Sequence, residues 1–279
     1  VVGQCGRGAN SATTDPRRAA SSSAFHAAGL GLSPPVVAAG GAPADDLATS
    51  LAALEAAGKL VCAWFLPSAT PSQYLTLSGA DVNGWTAAYG TQKVDLAFET
   101  AAPQWDATLF SNKGGVTFNG TTQRLLGTGN VTNWPVDTDD LYMIVAVASV
   151  ASASFRRAFS YGSATTATRA IGSTTGPVMS AAVGSTSVTG ASTISGGSTI
   201  GLVCDIGGTS AVYLNGTSDG TASTASASLT NTRVRLGASA AGSPSQFFSG
   251  TISCAAILNS TASLSDFTTL EALMRARVT

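Results

Sequence analysis

The spacing of apolar and polar residues changes character three times along the chain. Residues 1–44 are Gly, Ala, Ser and Pro with few large apolar side chains. Such a stretch cannot bury enough surface to offset the entropy of ordering it. It is expected to be an extended arm without a core of its own, lying on a partner or packing back over its own domain. Over 45–59 the period becomes helical, with Leu47, Leu51 and Leu54 on one face at i, i+4, i+7. Asp45 or Asp46 can cap this short helix, Gly58 can end it, and Lys59 suits its C-terminal dipole.

From Leu60 onward the apolar runs are short and strand-like. Expected strands are Leu60–Leu66, Gln92–Phe98, Ala107–Phe110, Val116–Asn119, Leu141–Ser149, Phe155–Tyr161 and Val178–Val183. Thr199–Ile206, Ala211–Leu214, Arg233–Leu236 and Gly250–Leu258 continue the series. Gly, Ser, Asn and Thr turns separate them without intervening helices, the pattern of an all-β sandwich or barrel and not of an α/β fold. The Ser/Thr/Gly-rich stretch 184–198 alternates through Val188 and Ile194 and fits strands and loops of the same domain. At the end, Ser265 or Asp266 can cap a helix whose face is Phe267, Leu270, Met274 and Val278, with Glu271 and Arg275 as an i,i+4 pair. The expected organisation is an arm over 1–44, a short helix over 45–59 and one β domain over 60–279.

Turn chemistry adds detail. Asn119-Gly120, in GGVTFNGTTQRLLG, and Asn215-Gly216, in YLNGT, can each supply the positive φ angles of a tight hairpin. Tyr213 and Leu214 should then point to opposite sides of their strand.

Composition narrows the function classes. Charged residues make up 10% of the 279, against roughly 25% in a typical soluble protein. The mean hydropathy is +0.25, yet no run approaches the roughly 18 apolar residues a membrane span needs. The apolarity comes largely from Ala set among Ser, Thr and Gly, a weakly hydrated surface that suits lasting contact with other subunits. A net charge of −1 directs the chain neither to nucleic acid nor to an acidic membrane.

The Cys and His inventory removes most chemistry. Cys5, Cys62, Cys204 and Cys254 lie far apart, and the last three sit in apolar runs. They read as small buried hydrophobes, or Cys204 and Cys254 as a cross-strand disulfide. His26 is the one histidine, so a metal site is not expected and a serine nucleophile lacks a base. No cofactor is expected.

Four stretches, in order, carry a resemblance. They are LVCAWFLPSA with LTLSGADVNGW; VTFNGTTQRL; TIGLVCDIGGTSAVYLNGT; and RVRLGASAAGSPSQFFSGTISCAAILNSTASLSDFTTLEALM. Together they resemble the concanavalin A-like lectin/glucanase (laminin-G-like) jelly-roll domains, particularly those of bacteriophage and bacterial surface proteins. The resemblance implies an antiparallel jelly-roll sandwich over about 60–279. Glucanase members carry closely spaced carboxylates (ExDxE) on one strand. Here Glu55, Glu99 and Glu271 have no acidic partner two residues away, and retaining hydrolysis needs two carboxyls roughly 5 Å apart. The family's Asp and Ser-Gly after the second Trp are also replaced, by Thr86-Ala87-Ala88-Tyr89-Gly90. The chain is therefore expected not to be an enzyme.

Candidate site residues follow from exposure and charge. Trp134, flanked by Asn133 and Pro135, reads as a loop residue that could stack on a sugar face or pack on a neighbour. Trp105 is open between core and groove, whereas Trp64 and Trp85 read as core. Asp137 and Asp139, in Asp137-Thr138-Asp139-Asp140, could help bind carbohydrate or Ca²⁺, or form a solvated loop that protects the next strand. The expected function is a structural virion protein: a phage head decoration, spike or fibre-associated subunit. Its arm would bind other virion subunits, and its jelly roll would be displayed, with host-surface glycan as a further partner. A homo-oligomer, a trimer, is expected. The alternative is a secreted or surface-attached bacterial carbohydrate-binding module without catalysis.

Overall fold

Two helices of the chain form where its periodicity places them, and the rest of the fold is antiparallel strand. The computed structural model describes residues 45–67, 73–127, 131, 134–136, 139–148, 150–151, 156–164, 167–225, 233–241 and 245–279. The arm over 1–44, with Cys5 and His26, lies outside the described residues, as does Asp137. The elements in chain order are α1 (Asp46–Ala56), β1 (Leu60–Trp64), β2 (Leu75–Ser78), β3 (Asp81–Trp85), β4 (Leu96–Phe98) and β5 (Gln104–Asp106). A short turn, α2 (Leu109–Asn112), leads into β6 (Gly115–Asn119), β7 (Leu125–Gly127), β8 (Leu141–Ala148), β9 (Arg156–Ala164) and β10 (Ala167–Ser173). There follow β11 (Val178–Val183), β12 (Thr186–Thr193), β13 (Ser198–Cys204), β14 (Thr209–Leu214), β15 (Thr217–Ser223), β16 (Arg233–Leu236), β17 (Ser249–Asn259) and α3 (Leu264–Val278).

The strands form two layers. One runs β15-β14-β13-β8-β17, and β17 pairs at its start with β6 and at its end with β1. The other runs β12-β11-β10-β9-β16-β7-β4-β3-β2. Strand β3 also touches β5, which pairs with β6, so the two layers join at that side. Between the layers lies the main core, which includes Trp64, Met143, Val145, Ile200 and Ile257 from the first and Phe159, Tyr161, Ile171, Met179 and Val234 from the second.

The central strands of the first layer, β8 and β17, are buried on both faces, which explains their near-continuous apolar runs LYMIVAVA and ISCAAIL. Met143, Val145 and Val147 enter the sandwich, while Ile144 and Ala146 face a second core under the helices. That second core takes Leu47, Leu51 and Leu54 from α1 and Phe267, Leu270, Met274 and Val278 from α3. Asp45 caps α1, accepting from the Leu47 and Ala48 N–H groups. The cap of α3 is Ser263 and not Ser265 or Asp266, because Ser263 and Asp266 satisfy each other's backbone N–H in a capping box. Arg277 ties α3 to the start of α1 and to the segment after β1: it donates to Asp45 at 2.9 Å and to the Leu66 carbonyl, and its guanidinium lies 4.6 Å from the Phe65 ring centre.

Several expectations are corrected. Ala107–Phe110 is not a strand; Phe110, Ser111 and Asn112 all have positive φ and form a left-handed turn. Asn215-Gly216 does make the two-residue hairpin between β14 and β15, with φ of 53° and 81°. Asn119-Gly120 does not make a hairpin, since β6 pairs with β17 and β7 with β16 and β4, in different layers. There the Asn119 side-chain oxygen accepts from the N–H groups of Thr121, Thr122 and Gln123 and shapes a crossover loop. Tyr213 and Leu214 face opposite cores as expected. Cys204 and Cys254 are free, and they belong to the cores on opposite faces of one layer. Burial pushes the Cys62 and Cys254 thiols up to about 12 and the Cys204 thiol up to about 11.

Candidate functional site

The charge that the surface lacks is partly inside. Arg124, Arg157, Arg169, Arg235 and Arg277 are all buried. An arginine whose donors reach main-chain carbonyls can fix a loop that has no secondary structure of its own. Arg235 donates to the Ser239 and Ala241 carbonyls and pairs with Glu99, which Arg124 also reaches at 2.7 Å. Burial raises the Glu99 carboxyl, but the bonds from Arg124 and Arg235 outweigh it and hold the group below its ordinary value.

Arg169 does the same for residues 134–136. Its guanidinium donates to the Pro135 carbonyl, to the Val136 carbonyl at 2.9 Å and to the Tyr161 hydroxyl at 2.9 Å. The segment is held from the other side by Trp134, whose indole N–H donates to the Gln92 carbonyl at 3.2 Å. Its ring lies against Trp64 and Tyr161, at centroid distances of 6.1 and 5.6 Å. Asp139 closes the turn: its Oδ2 accepts from the Val136 N–H at 2.8 Å, and its own N–H donates to the Val136 carbonyl at 2.8 Å.

This segment forms one wall of a pocket of about 270 Å³ lined by Val61, Thr91, Gln92, Trp134, Pro135, Asp139, Asn259, Ser260 and Thr261. The opposite wall is the end of β17 and the turn after it. There Asn259 donates from Nδ2 to the Gly58 carbonyl, while its Oδ1 accepts from the backbone N–H and hydroxyl of Thr261. Thr91 and Gln92 are pinned to β1 by their N–H groups, which donate to Leu60 and Val61. The walls are thus fixed by main-chain bonds, while the Gln92 side-chain amide and the Ser260 hydroxyl have no hydrogen-bond partner among the described residues.

Two of the sequence candidates, Trp134 and Asp139, therefore line one pocket. Of the readings open for Trp134, a ring exposed for stacking or a packed one, the structure shows the packed one. It is 2% exposed and serves as a packed wall, because Arg169 and the Trp64–Tyr161 cluster hold Trp134 and Pro135 inward while Val136 stays exposed. Trp105 is elsewhere, half-buried on β5 opposite Val116, near the start of β17 instead of its end. Trp64 and Trp85 are core, each 0% exposed. Among the described residues no group of three His, Cys, Asp or Glu side chains could hold a metal ion, and no helix is long and apolar enough to cross a membrane. Sequence reasoning missed Gln92, Ser260 and Thr261. They are ordinary polar residues in turns, Gln92 between β3 and β4 and the other two after β17, and they meet because Thr91 and Gln92 bond to β1, which pairs with β17.

Similarity to known proteins lies in the fold. No family model and no curated protein matches the chain. Among solved structures, an arabinofuranosidase complexed with arabinofuranosyl-alpha-1,2-xylobiose aligns with a TM-score of 0.54 at 12% identity, over 71% of this chain and 51% of that one. A structure on the entry of botulinum neurotoxin type C into cells through two ganglioside molecules aligns at 0.53 and 10% identity, over 80% and 53%. The Trypanosoma rangeli sialidase in complex with sialic acid aligns at 0.50 and 14% identity, over 77% and 33%. This chain spans about half the length of the first two and a third of the last.

Proposed function

We propose that the chain is a carbohydrate-binding module without catalysis, a concanavalin A-like sandwich acting outside the cell or on a bacterial surface. The observation that carries this reading is the pocket at the end of β17. It sets an amide, a carboxylate and hydroxyls around a fixed cleft, the polar inventory that sugar hydroxyls require. The three fold neighbours support it, since their structures concern an arabinofuranosyl-xylobiose, gangliosides and sialic acid. The proposal of no catalysis rests on the lining, where Asp139 is the one carboxylate among the described residues, whereas glycoside hydrolysis ordinarily uses two.

The virion reading drew on the composition, on residues 1–44, which lie outside the described residues, and on the resemblance to phage versions of the domain; the fold neighbours favour the module. The experiment is a glycan array probed with the full chain, repeated with Gln92→Ala. Binding that is lost in the variant, with an unchanged melting curve, is the expected result. A silent array, or binding that Gln92→Ala leaves unchanged, overturns the reading.

A further inference from the structure

Resting on the carbohydrate reading above, we infer that the pocket takes a single uncharged sugar residue at a chain end and discriminates against acidic sugars. Three observations carry this.

The first is charge. Among the described residues the lining contains Asp139 and no Lys, Arg or His. The cation behind the wall, Arg169, is 1% exposed and directs its guanidinium at the Pro135 and Val136 carbonyls and the Tyr161 hydroxyl. A carboxylated or sulfated sugar would bring an anion against the Asp139 carboxylate with no cation in the lining to meet it, and such like-charge juxtaposition is a strong device for rejecting a ligand.

The second is hydrogen-bonding capacity. Asp139 Oδ2 is committed to the Val136 N–H, whereas its Oδ1 has no hydrogen bond among the described residues. With the Gln92 amide and the Ser260 hydroxyl, the cleft offers an acceptor, a group that both donates and accepts, and a rotatable hydroxyl. Neighbouring sugar hydroxyls, each donor and acceptor, complement that set. Because Trp134 is 2% exposed, the cleft offers no open aromatic face among the described residues, and recognition is left to hydroxyl contacts.

The third is size and rigidity. A volume of about 270 Å³ falls below the range of roughly 300–1,000 Å³ typical of sites for larger ligands, so it accommodates one ring and not a run of them. The walls are preformed: Asn259, Thr91 and Trp134 all spend their polar groups on main-chain partners. Little ordering is left to oppose binding.

The test uses the full chain and calorimetric titration with glucose, galactose, mannose and arabinose, then with glucuronate, galacturonate and N-acetylneuraminate. At least one neutral sugar should bind, and its acidic counterpart should bind at least about tenfold more weakly. Asp139→Asn should shrink that gap to below about threefold. Ser260→Lys, at an exposed position that should tolerate the change, should reverse it by adding a cation to the rim. For a polymer of the preferred sugar, bound protein should scale with the number of chain ends and not with polymer mass. Acidic sugars binding the unaltered protein as well as neutral ones, or binding that follows polymer mass, would overturn the inference while leaving the carbohydrate reading standing. No binding to any sugar removes both.

Discussion

Glu271 gives the sharpest test of the packing account. It lies on the inner side of α3, is 1% exposed, and has one carboxyl oxygen, Oε1, without a hydrogen-bond partner. Burial pushes its carboxyl from an ordinary 4.5 up to about 7, against the opposing pull of Arg275 and the Gly216 N–H. The expected Glu271–Arg275 pairing is not made; Arg275 instead donates to the Asn215 carbonyl at 2.7 Å. The folded protein therefore holds this proton more tightly than the unfolded chain. The stability associated with it is fully present below about 4.5 and is lost as the pH rises through about 7. About 2.5 pH units at about 1.36 kcal/mol each set a ceiling of about 3.4 kcal/mol for the loss. In Glu271→Gln the amide keeps the acceptor for Gly216 but places an unpaired N–H beside Arg275, offsetting about 1 kcal/mol. The variant should gain about 2 kcal/mol over the unaltered protein at pH 8 and differ from it by less than about 1 kcal/mol at pH 4. Urea titrations from pH 4 to 8.5 read this directly, provided the slope with denaturant stays constant. A difference between the two proteins that does not change with pH would refute the reasoning.

Other outcomes follow from single contacts. Trp134→Ala removes a buried ring packed on Trp64 and Tyr161 and should cost about 3–5 kcal/mol in a denaturant titration; a loss below about 1 kcal/mol would contradict its placement in the core. Glu99→Gln leaves Arg124 and Arg235 without their carboxylate and should cost about 2 kcal/mol, less than for a fully buried pair because Glu99 is 26% exposed. Because the Glu99 carboxyl is held below its ordinary value, its contribution is present above about 4.5 and lost as the pH falls, so the penalty should fade in acid. Gly114→Ala would drive a methyl group into the Trp105 ring at a backbone φ of 75°, and a fall in melting temperature should show it. The thiols of Cys62, Cys204 and Cys254 should stay unreactive toward a disulfide reagent until the protein unfolds, since burial keeps them protonated.

Legibility in the sequence divided along physical lines. Both helices were readable because Leu47, Leu51 and Leu54, and Phe267, Leu270 and Met274, keep a helical period on one buried face. The long central strands were readable from their apolar runs. That LYMIVAVA serves two cores at once required knowing that helices cover one side of it. Strands such as β10 (ATRAIGS) and β15 (TSDGTAS) escaped notice because small and polar residues fill them; pairing with β9, β11 and β14 defines them, not burial periodicity. The dipeptide Asn119-Gly120 signalled a turn correctly but could not say that its flanking strands join different layers. Trp134 looked like a loop residue by its neighbours and is core because Arg169, 35 positions later, reaches the carbonyls beside it. The pocket was legible only in Trp134 and Asp139; its other wall comes from residues about 120 positions later in the chain.

The central claim is that sugar binds at the end of β17. Amide resonances of the isotope-labelled protein, followed while a sugar identified on the array is added, test it most directly. The account predicts that the Gln92 side chain, the Asp139 and Ser260 amides and the Trp134 indole shift together and saturate at one concentration, while Trp105 stays still. Shifts centred on Trp105, with Gln92 and Ser260 unmoved, would contradict it.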